Sequence, residues 1–260
     1  MSQSLPNFSL REEIVAYWSE RAETFDQSFG HGIVPGIEAA AWGEVIGGAI
    51  GPAPKDVLEL ACGTGEVTRV LLGLGYTVTG LDFAEPMLAR ARGKHADNPN
   101  ARFRLADAEN SMEPDASYDA VISRHLVWTL LSPQATFVDW LRVLKPGGTL
   151  VILDGQWSQP NLFGRLAAPL IALLDRITGR ANPINPDMLR RHEEITRRLP
   201  FQEGVTLARL TGMLTQAGFV DITQLSARPI IQAQSKVGTL RDGLRVRSND
   251  LVFLRARRPL

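Results

Sequence analysis

Three acidic residues, Glu59, Asp82 and Asp107, each close a short apolar run, and a turn of small residues, Ala61-Cys62-Gly63-Thr64-Gly65, follows the first of them. Small side chains at Ala61, Gly63 and Gly65 let a backbone turn sharply and approach a ligand closely. Two ligand classes use such a turn. A dinucleotide needs a third small residue and a helix N-terminus receptive to pyrophosphate, but Glu66 stands at that place and would repel phosphate. A phosphate-free nucleoside carrying cationic groups meets no such conflict, because carboxylates favour it. His125 follows the fourth apolar run. It reads either as a general base or acceptor contact, or as a histidine packed at a strand end. His31, His95 and His192 have no convergent partners in the sequence. Neither CxxC nor HxxxH spacing occurs, so no metal site is expected. Cys62, the single cysteine, reads as a small buried filler in the turn. Arg190, Arg191, Arg197 and Arg198 read as a solvated helix surface, because Met188, His192, Ile195 and Leu199 form the apolar face.

The elements that must position these groups alternate. VLEL, YTVTGLD, ARFRLAD, YDAVISR and TLVILDG are strand-like runs, and helical stretches follow the turn after Ala61, Glu85 to Lys94 and Pro133 to Leu144. Lys145-Pro146-Gly147-Gly148 stops the last of these. Strand–helix alternation implies a parallel sheet with helices on both faces. Ligands of such sheets bind outside the carboxyl ends of the strands, where Glu59, Asp82 and Asp107 all fall. Asp82, one strand–helix–strand unit after the turn, is placed to accept both hydroxyls of a ribose. S-adenosylmethionine (SAM) has the required chemistry: a ribose, a sulfonium and an ammonium, and no phosphate.

Four segments are expected. Residues 1–53 form an N-terminal helical cap, with a helix over 10–28 capped by Ser9 and Glu12, and a second from Ile37 to Ala49. Residues 54–156 form the nucleoside-binding core. Residues 157–205 break the alternation and read as a helical lid. Residues 206–260 hold a helix ending at Gly218 and the strands DITQLS and DLVFLRAR. Composition agrees with a globular protein and weighs against nucleic acid as a partner. Basic and acidic residues both number 28, so no basic excess favours nucleic acid. The N-terminus lacks a signal-peptide pattern and no apolar run is long enough to insert in a membrane. With one cysteine, a cytoplasmic location is expected. Oligomeric state is open, and a homodimer is compatible with the sequence.

VLELACGTGEVT, GLDFAEPMLARAR, FRLADAENSMEPDASYDAVISRH and RVLKPGGTLVILDG stand in this order over residues 55–156. Together they resemble the successive motifs of class I SAM-dependent methyltransferases, and YWSERAETFDQ is similar to an N-terminal segment of the ubiquinone/menaquinone and small-molecule subgroup. The resemblance implies an α/β, Rossmann-like doubly wound sheet of seven strands with a helical cap, the final strand lying between its two predecessors and antiparallel to the sixth. It implies methyl transfer from SAM to a nucleophile on a small-molecule acceptor by in-line displacement, leaving S-adenosylhomocysteine. Role by role, it implies that the backbone of Ala61, Gly63 and Gly65 lines methionine and ribose. Glu59 holds the turn and the ammonium, and Asp82 the ribose hydroxyls. Phe83 lies against adenine, Asp107 accepts from the adenine amino group, and the Ala108 N–H donates to the ring. Ser123 or Arg124 touches the methionine part through its backbone, and Tyr17 or Arg21 closes over the carboxylate. Ala61 departs from a glycine common at its position. Two other outcomes stay open: a non-catalytic metabolite-binding protein of this fold, and a SAM-dependent reaction without methyl transfer, such as cyclisation.

Overall fold

The computed structural model describes residues 6–28, 30–157, 159–178 and 185–260. Residues 1–5 of the expected cap, and Ser158 and residues 179–184 of the expected lid, lie outside them. Seven strands form one sheet: β1 (Asp56–Leu60), β2 (Thr77–Asp82), β3 (Ala101–Leu105), β4 (Tyr118–Arg124), β5 (Leu144–Gly155), β6 (Val220–Gln224) and β7 (Leu251–Arg257). Their order is β3-β2-β1-β4-β5-β7-β6. β1 to β5 are mutually parallel, and β7 runs antiparallel to both β5 and β6. The expected α/β fold, with the last strand between its two predecessors, is present.

Period-two burial splits the sheet residues between two cores. Leu58, Leu60, Val121, Leu150, Ile152 and Leu254 point to one face, where they meet Phe137 and Trp140 of α5 (Pro133–Val143) and Leu210 and Leu214 of α8 (Leu207–Ala217). Val57, Val78, Ile122, Val151 and Phe253 point to the other. There they meet Trp42 and Ile46 of α2 (Ile37–Ile50), Leu71 of α3 (Glu66–Gly73) and Ile230 of α9 (Arg228–Val237). α2 is therefore a core helix. Of the expected N-terminal cap, α1 (Pro6–Arg21) and a 3₁₀ turn over Phe25–Gln27 remain above the rim. α4 (Glu85–Lys94) joins β2 to β3.

Several boundaries differ from those expected. α1 starts at Pro6 and stops at Arg21, so Ser9 lies inside the helix and cannot cap it. Lys145-Pro146-Gly147-Gly148 is a bulge in β5, not a loop before it. Tyr118 pairs with Leu144 but Ala120 with Thr149, so the strand absorbs extra residues between two registers. The lid stretch forms α6 (Leu162–Thr178) and α7 (Pro186–Thr196). The C-terminal segment holds two helices that the sequence analysis left unassigned, α9 and α10 (Leu240–Val246). α10 is set by a capping box, in which Thr239 and Asp242 bond each other's backbone N–H. Among the described residues, no helix is long and apolar enough to cross a membrane.

Candidate functional site

Chain direction creates the site. β1, β2 and β3 spread to one side, and the chain then returns to lay β4 against the other edge of β1. The carboxyl ends of β1 and β4 thus diverge into helices on opposite sides, which opens a crevice. The turn after β1 rises into it. Ala61 and Gly63 have positive φ of 50° and 55°, and Gly65 has 83°. Gly63 has space for its backbone to face the crevice, and its N–H donates to Asp82 Oδ2 at 2.8 Å. Gly65 has a different constraint: a Cβ there would lie 2.9 Å from His95 Nε2, so a glycine lets α4 pack against the turn.

A cavity of about 1420 Å³ extends from this turn, under α1, to α6 and α10. Tyr17, Arg21, Ala61, Gly63, Asp82, Phe83, Arg124 and His125 line it. Glu59, Gly65, Asp107, Ala108 and Ser123 do not. Glu59 is buried beneath the turn and accepts from Thr68 Oγ1 at 2.5 Å, so it braces α3. Burial pushes its carboxyl up to about 8. Asp107 caps its own turn through the Glu109 N–H and is ion-paired with Arg11 of α1. Ala108 lies in the core, with its carbonyl accepting from Trp140 Nε1 at 2.8 Å. Among the described residues, the hydroxyl of Ser123 is buried without a partner, as are Arg124 Nη1 and His31 Nδ1.

The charges are arranged unevenly. Asp82 is buried, and burial raises its carboxyl to about 6 against the pull of the backbone N–H groups of Ala84, Gly63 and Phe83. Arg21 is 1% exposed. Its guanidinium donates to Thr24 Oγ1 at 2.8 Å and Ser28 Oγ at 2.6 Å, and no carboxylate pairs with it among the described residues. Glu66 is held differently from the sequence argument. Burial opposes its ionisation, but Lys94, the Ile33 N–H and Arg69 outweigh burial and bring it to about 2. Lys94 sits 2.7 Å from both Glu66 and Asp26, and Asp26 accepts from Thr64 of the turn. The negative charge of Glu66 is therefore largely compensated, which weakens the phosphate-repulsion argument. Its carboxylate instead ties the turn to the segment after α1.

His125 has a left-handed φ of 58°, and its N–H donates to Leu153 O at 3.0 Å. Its ring stacks on Trp157, with centroids 4.9 Å apart and planes at 13°, and lies 5.7 Å from His31. Burial lowers its pKa well below the usual range, with Arg124 and His31 adding to the fall, so the ring is neutral near pH 7. Asp154 holds this corner. Its carboxylate accepts from Val127 N, Gly155 N and Trp157 Nε1, each at 2.8 Å. Asp154 was not singled out in the sequence; its place at the end of the fifth strand, parallel to Glu59 and Asp82, was the available signal. Asp26 and His31 were also missed, because they join the site through the fold alone. Trp128 and Trp157 line the cavity, whereas Phe137 and Trp140 are fully buried on the sheet.

α1 closes the rim by packing Leu10, Ile14 and Tyr17 on Met188, Ile195 and Leu199, on and just beyond α7. The expected apolar face of α7 is the buried one. Arg190, Arg191, Arg197 and Arg198 each pair with an acid: Asp187, Glu20, Glu193 and Glu13, respectively.

Residues 58–152 match the family model of a methyltransferase domain. Demethylmenaquinone methyltransferase of Thermus thermophilus is 40% identical over 119 residues, covering 45% of this chain and 54% of its own length. A protein of Mycolicibacterium smegmatis, named a probable S-adenosylmethionine-dependent methyltransferase, is 30% identical over 188 residues, 70% of this chain and 64% of its own. The chain spans about half the length of the demethylmenaquinone methyltransferases it matches. Phosphoethanolamine N-methyltransferase 2 of Haemonchus contortus, solved with phosphomonomethylethanolamine and S-adenosylhomocysteine, shares the fold. It has a TM-score of 0.66 and 18% identity, over 96% of this chain and 60% of its own. The strand order, the turn after β1 and the matched segment agree: residues 58–152 carry a methyltransferase domain, and the chain shares the fold of solved methyltransferases.

Proposed function

We propose that this protein transfers a methyl group from SAM to a small-molecule acceptor held in the cavity beneath α6 and α10. The observation that carries the reading is the pairing of opposite charges across one crevice: Asp82 on its floor and Arg21, without an acid, on its roof. That pattern fits a ligand with hydroxyls at one end and a carboxylate at the other. The unpartnered Arg124 Nη1 and His31 Nδ1 also fit a polar ligand, since buried polar atoms are nearly always bonded. Asp82 would accept from the ribose hydroxyls, the Gly63 backbone would face the ligand, and Phe83 would cover the base. Arg21, with Tyr17 beside it, would hold the carboxylate. Asp107 and the Ala108 N–H would reach the adenine edge only when Arg11 yields its place, and Glu59 and Gly65 would support the turn from below. Of Ser123 and Arg124, Arg124, which lines the cavity, would border the methionine part.

When bound, SAM supplies a methyl group on a sulfonium, which an acceptor nucleophile displaces in line. The protein's task is then to orient the acceptor and exclude water. Trp157 and His125 form a flat wall for it. A neutral His125 can accept a proton from an acceptor that must lose one, and for other acceptors it is a contact. The equal counts of acidic and basic residues favour a small molecule over nucleic acid, and the single cysteine suits a cytoplasmic location, as monomer or homodimer. Methyl-labelled SAM incubated with the protein and a fractionated metabolite extract should label an acceptor and yield S-adenosylhomocysteine. SAM binding with no label transferred would leave the metabolite-binding alternative, and an altered SAM without acceptor would indicate cyclisation.

A further inference from the structure

α6 has two unlike faces. One, formed by Gly164, Ala168, Ile171, Ala172 and Asp175, lines the cavity. The opposite one carries Leu162, Leu166, Leu170, Leu173 and Ile177, spaced at helical intervals, and Leu162, Leu166 and Ile177 are 72%, 74% and 70% exposed. Scattered exposed leucines are ordinary, but a continuous stripe over the length of a helix marks a contact surface. Arg165 and Arg176, both exposed, lie along one edge of this stripe. The one acid of the helix, Asp175, is turned away and held by Arg241 and Arg245 of α10. The outer face is thus apolar with a cationic edge and carries no acid.

We propose that α6 lies flat on an anionic lipid surface, its leucine stripe in the acyl boundary and Arg165 and Arg176 at the headgroups. Charge selects this occupant. An apolar stripe with a basic border matches anionic lipid. A second copy packed antiparallel about a two-fold axis would instead set the Arg165–Arg176 edge against itself, with no acid to offset it. Docking here would bring the cavity's α6 wall to the bilayer, so an acceptor of low water solubility could enter from the lipid. That consequence rests on the methyltransferase reading; the docking itself does not.

The test uses the full chain in flotation with vesicles of phosphatidylcholine alone, or of phosphatidylcholine with an equal part of phosphatidylglycerol. Wild type should float with the anionic vesicles. L166E/L173E, changed at two exposed positions, should stay in the soluble fraction with an unaltered circular dichroism spectrum. R165Q/R176Q should bind the anionic vesicles on the order of 10-fold more weakly. Wild type that floats with neither vesicle, or L166E/L173E that floats as well as wild type, overturns the proposal. So does a wild-type dimer that L166E/L173E dissociates and that vesicles do not retain, which would make the stripe a subunit interface. SAM binding by L166E/L173E, measured in parallel, should match wild type; wild type that floats with anionic vesicles but binds no SAM would count against the cofactor site and not against docking.

Discussion

Asp82 holds the turn after β1 and is the residue proposed to hold the ribose as well. Its two oxygens already accept from Gly63 N and Ala84 N, yet each carboxylate oxygen has a second lone pair. Asp82→Asn keeps the size and removes the charge. Bonds to a charged group contribute about 1.5–3 kcal/mol, so SAM affinity by calorimetry should fall on the order of 10- to 100-fold. The carboxyl lies at about 6, so wild-type affinity should weaken as pH drops through that value, whereas Asp82→Asn should lose this dependence. Glu59 gives a second test. Its value rises from an ordinary 4.5 to about 8, mainly through burial, while Thr68 and Arg124 pull it down and Asp82 adds to the rise. The folded chain therefore binds this proton more tightly than the unfolded chain. The stability linked to Glu59 is full below pH 4.5 and is lost as pH rises through about 8. Glu59→Gln should match wild type in urea unfolding at low pH and exceed it increasingly towards pH 8; equal stability at both ends would refute the burial account. At this scale the sequence was legible where chemistry is local. The turn from Ala61 to Gly65 and the acid at the end of β2 could be placed from spacing. The ion pair of Arg11 with Asp107 could not, because it joins residues 96 positions apart (107 − 11) through a helix docking event.

Among the elements, α1 and the corner after β4 matter most to the site. Arg21 buries a cation with no acid opposite it among the described residues, which costs stability in the unliganded protein. Arg21→Met should raise the thermal midpoint without ligand and lower SAM affinity, so that ligand-induced stabilisation shrinks. A drop in the midpoint with unchanged affinity would make Arg21 a structural residue only. The corner after β4 depends on Asp154, which satisfies several buried N–H groups at once. Asp154→Ala leaves these donors unpaired at about 1–3 kcal/mol each. It should destabilise the fold by at least about 3 kcal/mol in urea unfolding and free the Trp157 ring from His125, visible in tryptophan fluorescence. Element type was readable where periodicity was strong: β1, β2, β4 and β7 sit within a residue or two of expectation. α9 and α10 were missed because their faces divide between the core and the cavity. Ile230 and Ala233 are buried, while Val237, Arg241 and Arg245 border the cavity; the helical spacing of Ile230, Ala233 and Val237 was the available signal for α9. The start of α1 was misplaced because Ser9 and Glu12 imitate a capping box inside a helix that begins at Pro6.

At the scale of the whole molecule, the doubly wound order follows from alternation and the known handedness of strand–helix–strand units, which is why fold class was accessible from the chain alone. The division into cap, core and lid was not fully accessible. α2 looked like cap but is buried against the sheet, because apolar periodicity reports that a face is covered, not what covers it. The cavity was the least legible part, since its walls come from segments 100 or more residues apart, such as Trp42 and Gln234. The central claim is that the turn after β1, Asp82 and Arg21 grip the two ends of SAM with the sulfur directed to the His125–Trp157 wall. A crystal structure of the complex with S-adenosylhomocysteine tests it most directly. The account predicts the ribose hydroxyls on Asp82, the carboxylate at Arg21 and the sulfur open to the cavity under α6. A nucleoside seated elsewhere, or a sulfur turned away from that cavity, would contradict it.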